Sequence, residues 1–496
     1  LFGNIFIKGI NFSKQIILAF YLGVSGFIDI FLVCQVIPLF IKGILGGLSN
    51  ELLPTIFDED KEEESDRIIL FYIILLFIVS FFTAIIYYYS SRYLFDLWNL
   101  DINKIELYNI LIIIFSIDIP IAVFVASSQN LFLLKNRYKQ FMYRIIISEL
   151  IGIFIIILLL GPKYDLGIIA FAYGILSVSV INFLLFILII PINLKSIFSS
   201  SSYAGKNINL FQILLNHSKL FINACIGQSF QIFERSMVSF LSIGYLSTLS
   251  YARTITGLPN NILISSVLKI IYIEQSKRYK KSYQKFSSYT SNTFSLFIKI
   301  HSFFLIFFIL VSPSLVSIIY NRGAIKTEDL MNIIIIIQIL NVGLFSLTTN
   351  NFFSNSYILM SEYKKLTYLN ILKLISFIVI VLLSIENIFH SIPIAFSISN
   401  LIFTTLAFIH FYKIGIIRSS FIDKIQLIII VLLSIIIPMI MISLVDFFIS
   451  FNLVNNIIYI VTILLIFIYS FYRFTDNNDN EILYKINRGL FSWIKK

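Results

Sequence analysis

Fourteen mostly apolar stretches of roughly 19 to 25 residues run along the chain, at 5–23, 27–47, 68–90, 109–133, 141–161, 166–191, 218–242, 248–272, 293–319, 331–356, 367–385, 391–412, 425–448 and 454–472. A bilayer core of about 30 Å takes about 20 helical residues to cross, so each stretch is long enough to span it. Strands of a membrane barrel would be shorter and would alternate apolar with polar residues. IILFYIILLFIVSFFTAIIYYYS at 68–90 is instead apolar on every side. The expected fold is therefore all-α and polytopic, with about fourteen transmembrane helices. Composition agrees: 58% of residues are hydrophobic and 13% charged, which no average soluble domain matches. The first stretch carries Lys8 and Lys14 and lacks the short apolar run and cleavage site of a signal peptide.

The longest connections, 48–67, 192–217 and 273–292, are too short to fold as catalytic domains, so an enzyme is not expected. The acidic run DEDKEEESDR at 58–67 reads as a solvated loop. The connection at 192–217 divides six stretches from eight. The expected organisation is an N-lobe at 1–192, a cytoplasmic linker at 193–217, a C-lobe at 218–412, two further helices at 413–472 and a cytoplasmic tail at 473–496.

Lys and Arg in short loops set the orientation. With the N-terminus cytoplasmic, the inner loops hold seventeen of them, against five outside: Arg92, Lys104, Lys163, Arg322 and Lys326. That asymmetry places both termini in the cytoplasm. The formal net charge of +11 is then mostly topological, and anionic membrane lipid accounts for it better than nucleic acid does. Cys34 and Cys225 lack a CxxC partner or a nearby His and read as packing residues, and the four histidines are scattered.

An internal repeat relates the two lobes. Adding 221 to the residue number takes Lys14 to Arg235, Gly23 to Gly244 and Pro38 to Pro259. Each match falls at the same place in a pair of stretches: a cation in mid-helix, a glycine at the turn and a proline in the second helix. With six stretches per copy, the copies are expected to be parallel, with the substrate path between them.

Ionisable residues inside a membrane are costly and face a cavity or a partner. The first two stretches hold Lys8, Lys14, Asp29 and Lys42, and the seventh and eighth hold Glu234, Arg235, Arg253 and Lys269. The other ten share Asp118, Arg144, Glu149, Lys299, Lys373 and Asp446, several near the ends, from which long side chains reach the surface. Lys14, Arg235 and Arg253 are the strongest candidates for a central cavity, and an excess of cations there suits an anionic, phosphate-bearing cargo. Pro38, Pro120 and Pro259 are expected to interrupt their stretches, as static shape or as flexing points.

The segments LGVSGFIDIFLVCQVIP, FERSMVSFLSIGYLSTLSYARTITGLPNNIL and IYNRGAIKTEDL resemble the MurJ/MviN lipid II flippase family of the multidrug/oligosaccharidyl-lipid/polysaccharide superfamily. Family-like elements appear as Ile28-Asp29-Ile30-Phe31, Tyr251-Ala252-Arg253 with Pro259, and Arg322-Gly323-Ala324-Ile325. The resemblance implies two pseudo-symmetric six-helix lobes around a cavity, with the last two helices forming a groove for a lipid tail. It also implies a flippase moving an undecaprenyl-pyrophosphate-linked envelope precursor across the bacterial inner membrane by alternating access, with lipid II for peptidoglycan synthesis the first expectation. An O-antigen or exopolysaccharide unit is the alternative, and a multidrug cation antiporter on the same fold the third.

The resemblance further implies that Lys14, Lys42, Arg235 and Arg253 bind the pyrophosphate head group. Asp29, Pro38 and Pro259 are implied in lining and gating the cavity. Glu234 matches a position at which some relatives bind Na⁺; a structural ion pair with Arg235 is the other reading of it. No cofactor is expected, the protein is expected to act as a monomer, and Na⁺, H⁺ or the membrane potential stay open as the energy source. Departures from the family are Lys14 and Lys42 in place of Arg, Gln15 in place of an acid, Gly43 in place of a second Arg and Thr254 where the family has Arg. Lysine lacks the bidentate grip of arginine on pyrophosphate, which bears on the choice of cargo.

Overall fold

The computed structural model describes residues 2–56, 62–98, 104–135, 137–190, 218–239, 243–259, 265–384, 388–417, 440–441 and 453–474. The expected linker at 193–217, the stretch at 425–448 apart from 440–441, Asp446 and the tail beyond 474 lie outside the described residues. The described elements are helices: α1 (Phe2–Leu22), α2 (Gly26–Cys34), α3 (Val36–Ile56), α4 (Glu62–Leu97), α5 (Ile105–Leu134), α6 (Tyr138–Leu160), α7 (Ile168–Ile189), α8 (Ser218–Ser239), α9 (Tyr245–Pro259), α10 (Ser265–Lys281), α11 (Tyr283–Tyr320), α12 (Thr327–Leu359), α13 (Tyr363–Leu383), α14 (Ile388–Lys413) and α15 (Leu453–Phe474). Among the described residues nine helical segments are long and apolar enough to cross a bilayer, so this is a multi-pass membrane protein.

Pro38 and Pro120 behave differently. The second stretch breaks at Gln35, and Pro38 falls in the first turn of α3, where a missing N–H costs least. Pro120 leaves α5 continuous from Ile105 to Leu134, against the expected interruption. In the stretch at 248–272, α9 is described as far as Pro259 and α10 from Ser265, so the expected interruption at Pro259 falls at the edge of the described residues.

The helices group into two compact units, one made of 2–14 with 25–247, the other of 15–24 with 248–496. In the first unit α5 packs against α3, α4 and α7, and α6 runs against α7. Lipid tails are as apolar as leucine, so contact between helices rests on small residues and on polar side chains. Gly152 and Gly174 let α6 and α7 close on each other, since a Cβ on either would collide with Val178 or Ile156. Asn182 on α7 donates to Ser148 on α6 at 2.9 Å. Ile44, Ile73, Val123, Phe132 and Phe186 form the apolar centre of this unit.

In the second unit α12 packs against α11 and α14, and α15 against α11. Phe294, Phe297, Phe352, Phe353 and Phe411 fill its centre. A polar seam runs along buried α12: Gln338 donates to Ser312 at 3.1 Å, Asn350 donates to the Asn400 side chain at 3.1 Å, and the Thr348 hydroxyl meets the His301 ring at 2.7 Å. His301 also stacks on Phe345, which gives this histidine a packing role.

Candidate substrate site

Lys14 lies two turns from the end of α1, and its ammonium forms an ion pair with Glu149 of α6. Its repeat counterpart, Arg235 on α8, is half-buried and donates from Nη1 to the Leu32 carbonyl at 2.9 Å. That carbonyl lies just before the break between α2 and α3. The neighbouring Cys34 carbonyl, which Pro38 leaves without its helical donor, accepts from the Tyr87 hydroxyl at 2.7 Å. Arg235 and Tyr87 thus hold the break in place from two other helices. Trp98 adds to this by donating to Ser236 at 3.1 Å.

Lys42 is exposed on α3 and acts electrostatically on Asp118 of α5, whose carboxylate is buried and hydrogen-bonded by Ser179. One residue on, Gly43 allows the Gln228 amide of α8 to lie against α3, where any Cβ would collide with it. Glu234 is fully buried on α8. Among the described residues no group of three or more His, Cys, Asp and Glu side chains is placed to hold a metal ion.

Asp29 has a defined structural task. Its carboxylate accepts from the Gly244 amide at 2.5 Å and from the Ser247 amide at 2.8 Å. These are the N-cap and N3 positions of α9, the two amides that a capping box satisfies from within its own helix. Gly244 has no side chain to do this, so α2 supplies the carboxylate. Gly23 and Gly244, which the repeat aligns, share a left-handed backbone, with φ of +60° and +91°. The duplicated turn is therefore repeated in conformation as well as in residue type.

In the second unit, the guanidinium of Arg253 stands 5.1 Å from the centre of the Phe396 ring. Nearby elements bring the family-like segments together. Tyr251 donates to the Gly23 carbonyl at 2.8 Å, and the Ala324 amide donates to the Phe20 carbonyl at 3.0 Å. A Cβ on Gly23 would strike the Ala324 carbonyl, and one on Gly323, at φ +75°, would strike the Phe20 backbone. The Arg322-Gly323-Ala324 turn thus caps the end of α1 by direct backbone contact.

The structure places Lys14, Asp29, Lys42, Glu234 and Arg235 in the first unit, and Arg253 and Pro259 in the second. Lys8 is exposed, and the side chain of Lys269 lies outside the described residues. Arg144 is fully buried, its guanidinium 4.8 Å from the Phe132 ring and 5.5 Å from that of Phe186. The partners Glu149, Tyr87 and Phe396 were not singled out as site residues from sequence. Glu149 had a readable signal, as the only acid of α6.

Long apolar helices, with cations beside the glycine turns at 23 and 244, define a polytopic membrane protein. Solved structures share the fold. A lipid II flippase MurJ in an inward closed conformation matches with a TM-score of 0.72 at 19% identity, over 95% of this chain and 98% of that one. An inward-facing multidrug resistance MATE family transporter of the MOP superfamily matches at 0.61 and 14%, over 82% and 94%. A point mutant of the Vibrio cholerae MATE transporter VcmN matches at 0.57 and 12%, over 83% and 94%. At these identities the likeness establishes the fold alone. No curated protein sequence matches significantly. The family model described as lipid II flippase MurJ matches residues 18–469. The chain belongs to the MurJ lipid II flippase family, a family of transporters and not of enzymes.

Proposed function

We propose that the protein flips a polyprenyl-pyrophosphate-linked envelope precursor, lipid II first among them, from the inner to the outer leaflet of a bacterial plasma membrane. The family match over residues 18–469 carries this reading. Lys14, Lys42, Arg235 and Arg253 receive the pyrophosphate, and alternating access moves it across. Both termini lie in the cytoplasm, by the excess of Lys and Arg in the inner loops. The chain works as a monomer without a cofactor, and its lipid tail rides the groove of the last two helices.

The second reading, an O-antigen or exopolysaccharide unit, is favoured by Lys14 and Lys42. Lysine is a point charge that holds pyrophosphate without the planar, two-bond match of arginine, so it discriminates less among phosphorylated head groups. An antiporter for organic cations fits worst, because its cavity needs acids where this chain has cations. For energy, Na⁺, H⁺ and the membrane potential remain distinct alternatives, to be separated by imposing one gradient at a time in vesicles.

The test is translocation in reconstituted vesicles of fluorescent lipid II and of an O-antigen-type lipid, alongside growth of a cell depleted of its own flippase. Lys14→Ala, Arg235→Ala and Arg253→Ala are each expected to abolish movement while the protein still folds. Growth and translocation equal to the parent in all three variants overturns the cargo assignment.

A further inference from the structure

Lys14 is occupied by Glu149, a residue to which neither the family resemblance nor the repeat assigns a role. The two side chains come from α1 and α6, 135 positions apart, and both are largely but not wholly buried, with side-chain exposures of 14% and 13%. Each is the other's only polar partner among the described residues. Glu149 is also the sole acid of α6, a helix otherwise apolar from Met142 to its end apart from Arg144 and Ser148. A lone carboxylate in such a helix is costly and is retained for a partner or a task.

We infer that Glu149 is an internal stand-in for the substrate's pyrophosphate, holding Lys14 in the empty transporter and being displaced when the head group arrives. This rests on the cargo reading above. A phosphate anion brought to Lys14 meets the Glu149 carboxylate within a few ångströms, in a site of low dielectric where like charges repel strongly. The two anions therefore compete for one ammonium. The competition lowers head-group affinity, and that serves transport. A carrier that binds its cargo too tightly cannot release it, whereas a carboxylate waiting to retake Lys14 drives the head group off after the conformational change. It also keeps the lysine paired, and so tolerable in the membrane, while no cargo is bound.

The experiment uses the full chain in lipid nanodiscs, with inorganic pyrophosphate and a short-chain polyprenyl pyrophosphate as probes, and the vesicle assay for turnover. Glu149→Gln removes the competing charge with little change of shape. It is expected to bind both probes about tenfold more tightly, the order of one close charge pair, and to turn over more slowly at saturating lipid. In Lys14→Gln/Glu149→Gln the gain is expected to vanish, since it acts through Lys14. If Glu149→Gln does not fold, Glu149→Asp, which draws the carboxylate back by one methylene, is expected to show a smaller gain of the same sign. Parent binding with no tightening in a folded position-149 variant overturns the inference alone, as does a gain that survives loss of Lys14. Absence of binding by both parent and variant overturns the cargo reading and the inference with it.

Discussion

Replacing Asp29 by alanine removes the carboxylate that caps α9. Two amides lose this acceptor at once: Gly244, now held at 2.5 Å, and Ser247, at 2.8 Å. A hydrogen bond to a charged group contributes about 1.5–3 kcal/mol, and the two bonds share one acid, so their contributions do not simply add. Loss of about 3 kcal/mol is a fair value for the pair, within reach of the usual cost of a lost cap together with its dipole term. At about 1.4 kcal/mol per factor of ten, opening of the first turn of α9 becomes about a hundredfold more frequent. The Asp29→Asn variant keeps one acceptor oxygen and loses the charge, and about a tenfold effect is expected. Amide hydrogen exchange read by mass spectrometry on peptides covering 243–249, with peptides of α14 as the internal control, measures this directly. Exchange in Asp29→Ala within about threefold of the parent over that segment refutes the capping argument.

Other consequences follow from the same geometry. Gly323→Ala places a Cβ against the Phe20 backbone at a φ of +75°; a left-handed alanine alone costs about 1–2 kcal/mol, so a lower melting temperature and weaker complementation are expected, whereas a parental melting temperature refutes the close contact. Tyr87→Phe removes the donor at the buried Cys34 carbonyl and is expected to cost about 1–3 kcal/mol, read as earlier denaturation in detergent; an unchanged midpoint shows that the proline break needs no outside donor. Arg144→Met is expected to leave stability equal or raise it. The buried guanidinium offsets its desolvation with ring contacts and one long 3.3 Å bond to Ser128, and an apolar side chain of similar reach avoids that cost. A large fall in melting temperature identifies Arg144 as a stabilising charge instead.

Much of the helical framework was legible because its cause is local. Unbroken apolar runs about 20 residues long satisfy every backbone group only as helices, and stretches such as 109–133, 141–161 and 166–191 correspond closely to α5, α6 and α7. The duplicated turn was legible as well, since glycine at 23 and at 244 signals a backbone that other residues avoid, and both adopt positive φ. Proline was read less well. Its missing N–H is a local fact, but whether the helix breaks depends on position: Pro38 sits in a first turn, whereas Pro120 is tolerated within α5.

The partners of Asp29, Lys14 and Arg235 come from residues far apart in the chain. Asp29 caps a helix that begins 216 residues later, Lys14 meets Glu149 across 135 positions, and Arg235 reaches Leu32 across 203. Sequence alone determined that this is a multi-pass helical membrane protein, because length and hydropathy act within a few residues of chain. Only the tertiary structure decided which partners Asp29, Lys14 and Arg235 take. An isolated charge in lipid must find a counter-group or hydrogen-bond partner, and which one it finds depends on how helices rotate and cross, a choice that no single helix encodes.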